Sequence, residues 1–336
     1  MTSSSSWQGR LAVQYVHRDG HTHQRLTQVQ APLKLQRPFY PEGKHRCHGV
    51  VLHTAGGLVA GDRLELSARL EPGAEALLTT VAATKIYGPG RLTQGLEASW
   101  SLTGAQGNGS EKSESRAQET LGSPSATREP GEAIATSQQT IHWQLGAEAH
   151  GEWLPLETIA YGSAHHRQTV RVELAEGATW LGWDLVRLGR SAGGETFGSG
   201  AWRSQTEIWQ GGRPVWIDPL WIPGEPELLQ SAQGLAGQPV MGTLAWVGLA
   251  VERETVEQAR QLWLEARAVP QPDRTGTKGQ TIAAEAQVGV TRLERGLLCR
   301  YRGHSTQEAR AWFQLVWAVV RSLRGADRPV APRVWP

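Results

Sequence analysis

A turn that recurs along the chain constrains it most: Leu70-Glu-Pro-Gly-Ala74, Leu145-Gly-Ala-Glu-Ala149 and Leu174-Ala-Glu-Gly-Ala178, each followed by an apolar run. Short strands joined by similar small-residue turns build stacked β-coils or a layered sandwich. The stretches around these turns read as strands. Arg63 to Leu70 alternates, Glu75 to Val81 runs out after Pro72-Gly73, and Val170 to Leu174 is followed by Thr179 to Leu188. Thr206 to Trp209 faces Pro214 to Ile217 across Gln210-Gly-Gly-Arg213, which predicts a hairpin.

Two stretches predict helices. Thr255 to Arg267 places Val256, Ala259, Leu262, Trp263 and Ala266 on one stripe. Ser305-Thr-Gln-Glu308 is a capping box, and Ala309, Trp312, Phe313, Val316, Trp317 and Val320 form a wide apolar face behind it. Arg321 and Arg324 sit near the negative end of that helix, and Pro329 and Pro332 stop it. The simplest role for both helices is to cover sheet faces.

A length of 336 residues allows about two domains, or one long β-rich one. From about residue 104 to 139 the composition changes sharply, with Leu121 and Ile134 the only large aliphatics. Such a segment cannot bury enough apolar area to offset its ordering entropy, so it reads as a disordered insertion. It lies between two predicted neighbouring strands, Leu96 to Leu102 and Thr140 to Leu145, rather than between two domains. The expectation is therefore a single domain over 1–336, interrupted once.

Charge and cysteine content exclude several classes. A net charge of +2 is too small to argue for nucleic acid, and only five of 34 basic residues are lysine. Cys47 and Cys299 are the only cysteines, so there is no disulfide framework and no four-cysteine metal site. Met1 to Arg10 has no apolar core, and the uncharged stretch Leu228 to Val251 is broken by Gln230, Ser231, Gln233, Gly237, Gln238 and Pro239. That stretch reads as turns followed by a buried strand. The expected location is the cytoplasm, with no membrane contact.

Three constellations carry chemistry. Gly56-Gly57-Leu-Val-Ala-Gly61-Asp62 is a glycine-rich turn without the Gly-Lys-Ser/Thr ending or the following helix of a phosphate loop, so it reads as structural. Cys47-His48, with His53 just after, offers thiolate and imidazole to a cation such as Ni²⁺. An unbroken strand, however, points positions 48 and 53 to opposite faces, so any such contact is transient. Finally Asp62, Glu157, Asp184 and Glu207 interrupt apolar strands, where a carboxylate must be paired or wet. Together they line a polar channel, act as salt-bridged structural acids, or supply the acid pair of a carbohydrate-active enzyme, for which the 15 tryptophans offer stacking platforms.

In order along the chain, the motifs resemble one family. Ala31-Pro-Leu-Lys-Leu-Gln-Arg-Pro-Phe-Tyr-Pro-Glu-Gly43, Cys47-His-Gly-Val-Val-Leu-His53, Gly56 to Asp62 and Ala83-Thr-Lys-Ile-Tyr87 are similar to the first part of the urease accessory protein UreD (UreH) family. Trp153-Leu-Pro-Leu-Glu157, Gly182-Trp-Asp-Leu-Val-Arg187, Trp312-Phe-Gln-Leu-Val-Trp317 and Pro332-Arg-Val-Trp335 continue the resemblance to the end.

The resemblance implies a mainly β fold, a helically coiled (β-helix-like) stack of short strands, with two α-helices in the C-terminal third. It implies a non-enzymatic chaperone of urease maturation. Such a protein binds UreF, which recruits the GTPase UreG, docks on apo-urease, and passes nickel through an internal channel. No cofactor is held tightly, and nickel is cargo in transit. Asp62, Lys85, Tyr87, Glu157, Asp184 and Glu207 are then the channel or interface candidates, Gly56, Gly57 and Gly61 the structural turn, and Cys47, His48 and His53 the transient nickel contacts.

Overall fold

The computed structural model describes residues 6–89, 135–190, 193–268, 285–325 and 328–335. Its first strands are β1 (Gln8–Arg18), β2 (His21–Gln30), β3 (Leu33–Leu35), β4 (Arg46–His53), β5 (Arg63–Leu70), β6 (Glu75–Thr80) and β7 (Thr84–Ile86). There follow β8 (Ser137–Leu145), β9 (His150–Trp153), β10 (Thr158–Ala160), β11 (His165–Leu174), β12 (Thr179–Leu188), β13 (Ala201–Gln210) and β14 (Arg213–Pro223). Helix α1 (Pro226–Gln230) precedes β15 (Val240–Val247). Helix α2 (Arg253–Ala268), β16 (Gln287–Leu293), β17 (Gly296–Gly303) and α3 (Thr306–Ser322) complete the order.

The strands form two sheets. The first runs β14-β13-β11-β8-β5-β1-β2 and the second β16-β17-β15-β12-β9-β6-β4-β3, with β7 and β10 attached beside β12. The chain crosses from the first to the second at each recurring turn: β5 to β6, β8 to β9, β11 to β12. Equivalent strands of successive passes pair in parallel, so Leu70, Leu145 and Leu174 share one register row and Glu75, His150 and Thr179 another. The turns stack as well, through Gly73 N–H to Ala147 O at 2.9 Å and Glu148 N–H to Glu176 O at 3.0 Å. The recurring Ala74, Ala149 and Ala178 are each fully buried, which is why a small residue recurs there.

The alternation expected of Arg63 to Leu70 is present, every second side chain buried. The predicted hairpin is β13–β14, turning on Gly211 and Gly212 at φ +57° and +75°. A residue without Cβ adopts that left-handed region most readily.

Two cores result. One lies between the sheets, where Leu64, Leu66, Trp143 and Trp202 of the first sheet meet Ala76, Trp153, Trp180 and Val186 of the second. The other lies outside the second sheet, where Leu181, Trp183 and Leu185 meet Val256, Trp263, Trp312, Phe313 and Val316 of α2 and α3. Both long helices therefore cover a sheet face, as their stripes predict. The Ser305 hydroxyl accepts from Glu308 N–H at 3.2 Å, as the capping box requires. The Ser305 amide donates to the Tyr301 hydroxyl at 3.3 Å, which in turn donates to Glu308 at 3.1 Å.

Some boundaries differ from expectation. Strand β8 begins at Ser137, so 137–139 belong to the sheet rather than to the insertion. Backbone pairing with Arg63 and Leu64 extends it beyond its apolar part. Residues 104–134 of that segment and the strand expected at Leu96 to Leu102 lie outside the described residues. The short α1 occupies the turn-rich stretch before the buried strand β15. No helix among the described residues is long and apolar enough to cross a membrane.

Candidate functional site: a polar space between the sheets

The inter-sheet core is not apolar throughout. A cavity of about 400 Å³ opens beside the glycine-rich turn, lined by His53, Gly57, Thr80, Thr84, Lys85, Gln139 and Trp153. A smaller one, about 50 Å³, lies further along, lined by Trp153, Gln168, Asp184, Trp202, Asp218 and Thr243 among others. Trp153, buried on β9, belongs to the walls of both.

The glycine-rich turn builds the mouth of the outer cavity. Leu58 N–H donates to Lys85 O, and Tyr87 N–H donates to Leu58 O, both at 2.8 Å, so the turn joins β7 through one parallel bridge, Leu58 to Ile86. Gly57 sits at φ +157°, where a Cβ would overlap the Tyr87 ring and stand 2.7 Å from the Lys85 carbonyl oxygen. Gly56 and Gly61 also have positive φ, +76° and +92°. The Tyr87 ring lies 4.8 Å from that of Tyr161. Burial, then Tyr161, raises the Tyr87 phenol above its usual range.

Asp62 is buried but faces neither cavity. Its carboxylate accepts from Trp7 N–H at 2.8 Å and Val59 N–H at 2.9 Å, locking the turn onto β1. Burial lowers the His53 imidazole below its usual range, with Asp62 opposing.

In the inner cavity Asp184 accepts from Gln168 Nε2 at 2.9 Å. Burial pushes its carboxyl up to about 6, the Gln168 bond opposing and the charge of Asp218 adding. Asp218 itself is neutralised by Arg300 at 2.6 and 2.8 Å, and Arg300 also donates to Thr243 at 2.8 Å. The indole N–H groups of Trp180 and Trp202, both on this cavity, have no hydrogen-bond partner in the protein. Buried donors of this kind take ordered water, and the volume suits one or two molecules. That volume leaves no room for a sugar ring beside the Asp184–Asp218 pair.

The other candidates stand apart. Glu157, partly exposed, meets Arg310 of α3 at 3.4 Å. Glu207 points away from both cavities, held on the outer face of the first sheet by Arg171 at 2.9 Å and Trp209 Nε1 at 3.0 Å. Cys47 and His48 point to opposite faces of β4. The Cys47 thiol packs in the inter-sheet core, where burial pushes it up to about 12. His48 faces α3 and bonds Glu42 at 2.7 Å. With His53 on the outer cavity, the three are not brought together. Among the described residues no group of three or more His, Cys, Asp or Glu side chains is placed to hold a metal ion.

The sequence reading missed a buried ionic network around His48. Glu152 accepts from Arg321 at 2.6 and 2.7 Å, from His150 at 2.9 Å and from Trp317 Nε1 at 2.9 Å. Glu42 accepts from Arg46 at 2.9 Å and from Arg321. Glu75 accepts from Arg46 at 2.5 Å and faces Arg324 at 3.5 Å. The register rows Arg46–Glu75–His150–Thr179 and His48–Leu77–Glu152–Leu181 place these groups on adjacent strands, and the end of α3 closes over them. Burial would raise the Glu152 carboxyl, but the Arg321 charge and the bonds from His150 and Arg321 hold it well below the usual range.

The model of the UreD urease accessory protein family matches residues 8–336. The chain belongs to the UreD family. It is 44% identical to the urease accessory protein UreD of Acaryochloris marina over 332 residues, covering 99% of this chain and 96% of that one. It is 42% identical to UreD of a Nostoc species over 334 residues, covering 99% and 98%. UreD of Thermosynechococcus vestitus is 40% identical over 333 residues, covering 99% of each chain. Membership of UreD gives the protein a role in urease maturation.

Proposed function

We propose that this chain is a non-enzymatic scaffold and ion conduit of urease maturation. It binds UreF, through UreF the GTPase UreG, and docks on apo-urease in the cytoplasm. Nickel crosses the space between the two sheets toward the nascent active site. One observation carries the conduit: two cavities between the sheets share Trp153 as a wall, the outer one mostly apolar but lined by His53, Lys85 and Gln139, the inner one holding Asp184. With Asp218 neutralised by Arg300, one free carboxylate, Asp184, with amide and hydroxyl neighbours attracts a divalent cation without trapping it, as transfer requires. The inner chamber admits water but not a fully hydrated divalent ion. Passage therefore exchanges part of the hydration shell for Asp184 and its neighbours, or moves the tryptophan rings. Asp62 and Glu157 serve the framework, through backbone amides and Arg310.

The test is paired: pull-down of the complex with UreF and UreG, and nickel content of urease matured by it. Asp184→Leu should leave the complex intact and lower nickel loading. Intact complex with normal nickel content would refute the conduit.

A further inference from the structure

The outer face of the first sheet carries a row that the framework does not use. Gln8, Arg63, Gln138, Arg167, Arg203 and Trp221 occupy one register position on six successive strands, β1, β5, β8, β11, β13 and β14. Their neighbours in sequence Leu64, Gln168, Trp202 and Ile222 point inward and are buried, so the row faces solvent. Arg63, Arg167 and Arg203 are exposed, and Trp221 is 58% exposed.

Elsewhere on this face most arginines are paired, Arg25 on the edge strand β2 excepted. Arg10 pairs with Glu65 at 3.0 Å, Arg69 with Glu71 at 3.4 Å, and Arg171 with Glu173 and Glu207 at 3.0 and 2.9 Å. Among the described residues Arg63, Arg167 and Arg203 have no carboxylate partner, and the row contains no acid. Arg167 and Arg203 lie directly opposite on adjacent strands, about 4.8 Å apart in the backbone. Like charges so placed repel. Arg203 also lies over the Trp221 ring, 5.1 Å from its centroid. An open groove of about 460 Å³ runs between them, lined by Arg167, Arg203, Gln205, Pro219 and Trp221.

We infer that this row is a docking surface for an acidic, extended segment of a partner protein, one carboxylate clamped between Arg167 and Arg203 and an apolar side chain on Trp221. Two guanidinium forks at strand spacing converge on one carboxylate, and Arg63 reaches a second further along the row. The repulsion within the row is relieved when the anion arrives. The inference is independent of the conduit, since the row and the cavities lie on opposite faces of the sheet.

The experiment uses the full chain and a fluorescein-labelled Glu-Glu-Leu-Glu-Glu-Leu peptide, read by anisotropy, with the Gln-for-Glu peptide as control. The Glu peptide should bind, the Gln peptide should not, and added salt should weaken binding. Arg167→Gln and Arg203→Gln should each cost about threefold, and the double variant roughly tenfold. Arg10→Gln with Arg69→Gln, which removes two paired arginines of the same face, should leave binding unchanged. All four positions are exposed, and thermal melts of the variants check the fold. No binding of the Glu peptide, equal binding of both peptides, or a double variant equal to the parent overturns the proposal. So does an oligonucleotide of the same charge that competes equally at the same arginines, which would make the surface a general polyanion site.

Discussion

Arg321 near the end of α3 grips Glu152 of β9 at two points, Nε to Oε1 at 2.6 Å and Nη2 to Oε2 at 2.7 Å, with both side chains about 1% exposed. Helix α3 is thus held to the second sheet by its apolar face and by charge. A pair this buried is matched to its partner rather than strong in its own right, because desolvating both ions offsets much of their attraction.

Arg321→Met should therefore destabilise the fold by about 3–5 kcal/mol, since Glu152 is left charged and buried. The double variant Arg321→Met with Glu152→Leu should recover a good part of that loss. Urea denaturation of the three proteins measures both effects. A double variant no more stable than Arg321→Met would show that Glu152 is not the source of the cost.

Acid should unfold the protein in two stages. Burial holds His166 down to about 3 from an ordinary 6.5, so the unfolded chain takes its proton first. That contribution is complete above pH 6.5 and is lost as pH falls toward 3, by up to about 1.4 kcal/mol per pH unit. Against the upward push of burial, bonds from His48 and Arg321 and the charges of Arg321 and Arg46 bring Glu42 from 4.5 to about 2. Its contribution is complete above pH 4.5 and is lost as pH falls toward 2. Asp184, raised from 3.8 to about 6, works in the opposite direction between those values. In His166→Phe the decline between pH 6.5 and 4.5 should become shallower, the remainder coming from the half-buried His53 and the buried His150, while the loss below 4.5 persists. Urea midpoints across the pH range decide it.

Asp184→Asn should raise stability at pH 7 by about 1–3 kcal/mol, because the raised carboxyl pKa marks a charge the fold holds at a cost. Gln168 Nε2 can still donate to the amide oxygen. If the conduit operates, the same variant should mature urease with less nickel. A more stable protein that transfers less metal would separate function from folding at one atom. Unchanged stability would mean that the carboxylate is better solvated than its surroundings imply.

Gly57→Ala should loosen the mouth of the outer cavity. The added methyl meets the Tyr87 ring and the Lys85 carbonyl, at a φ that side chains rarely adopt. A loss of about 1–3 kcal/mol is expected, concentrated at β7. Hydrogen exchange at the Leu58 and Tyr87 amides, which pair across this contact, should accelerate more than exchange in β5.

The strands, the hairpin and the α3 cap were legible because each is written in a few adjacent residues. The row Leu70, Leu145, Leu174 was visible as a recurring turn, and the structure turns that likeness into register. Glu207 could have been placed outward from parity alone, since Trp202 and Ile208 bracket it as the buried members of β13. Asp62 read as a carboxylate in need of a partner. One partner, the Val59 amide, is local to the turn, but the other is the Trp7 amide 55 residues earlier, which no side-chain pattern reports. The ionic network was illegible for the same reason: Glu42 and Glu152 meet Arg321 across 279 and 169 residues. Strand β9 hid it further, because all four residues of His150-Gly-Glu-Trp153 are buried and the usual alternation is absent.

The packing of Trp335 sets a clock on the birth of the protein. Its indole N–H donates to Thr79 Oγ1 at 2.9 Å across 256 residues, and its ring lies 5.4 Å from Trp183. At roughly 5–20 residues per second, β6 waits on the order of ten seconds to nearly a minute after synthesis for that contact. Until the two long helices follow, Leu77 on the outer face of the second sheet, and then Leu154 and Trp183 as they are made, lack their cover. The nascent chain is therefore adhesive long before it is complete, and a cell that makes it quickly gains a shorter window for aggregation.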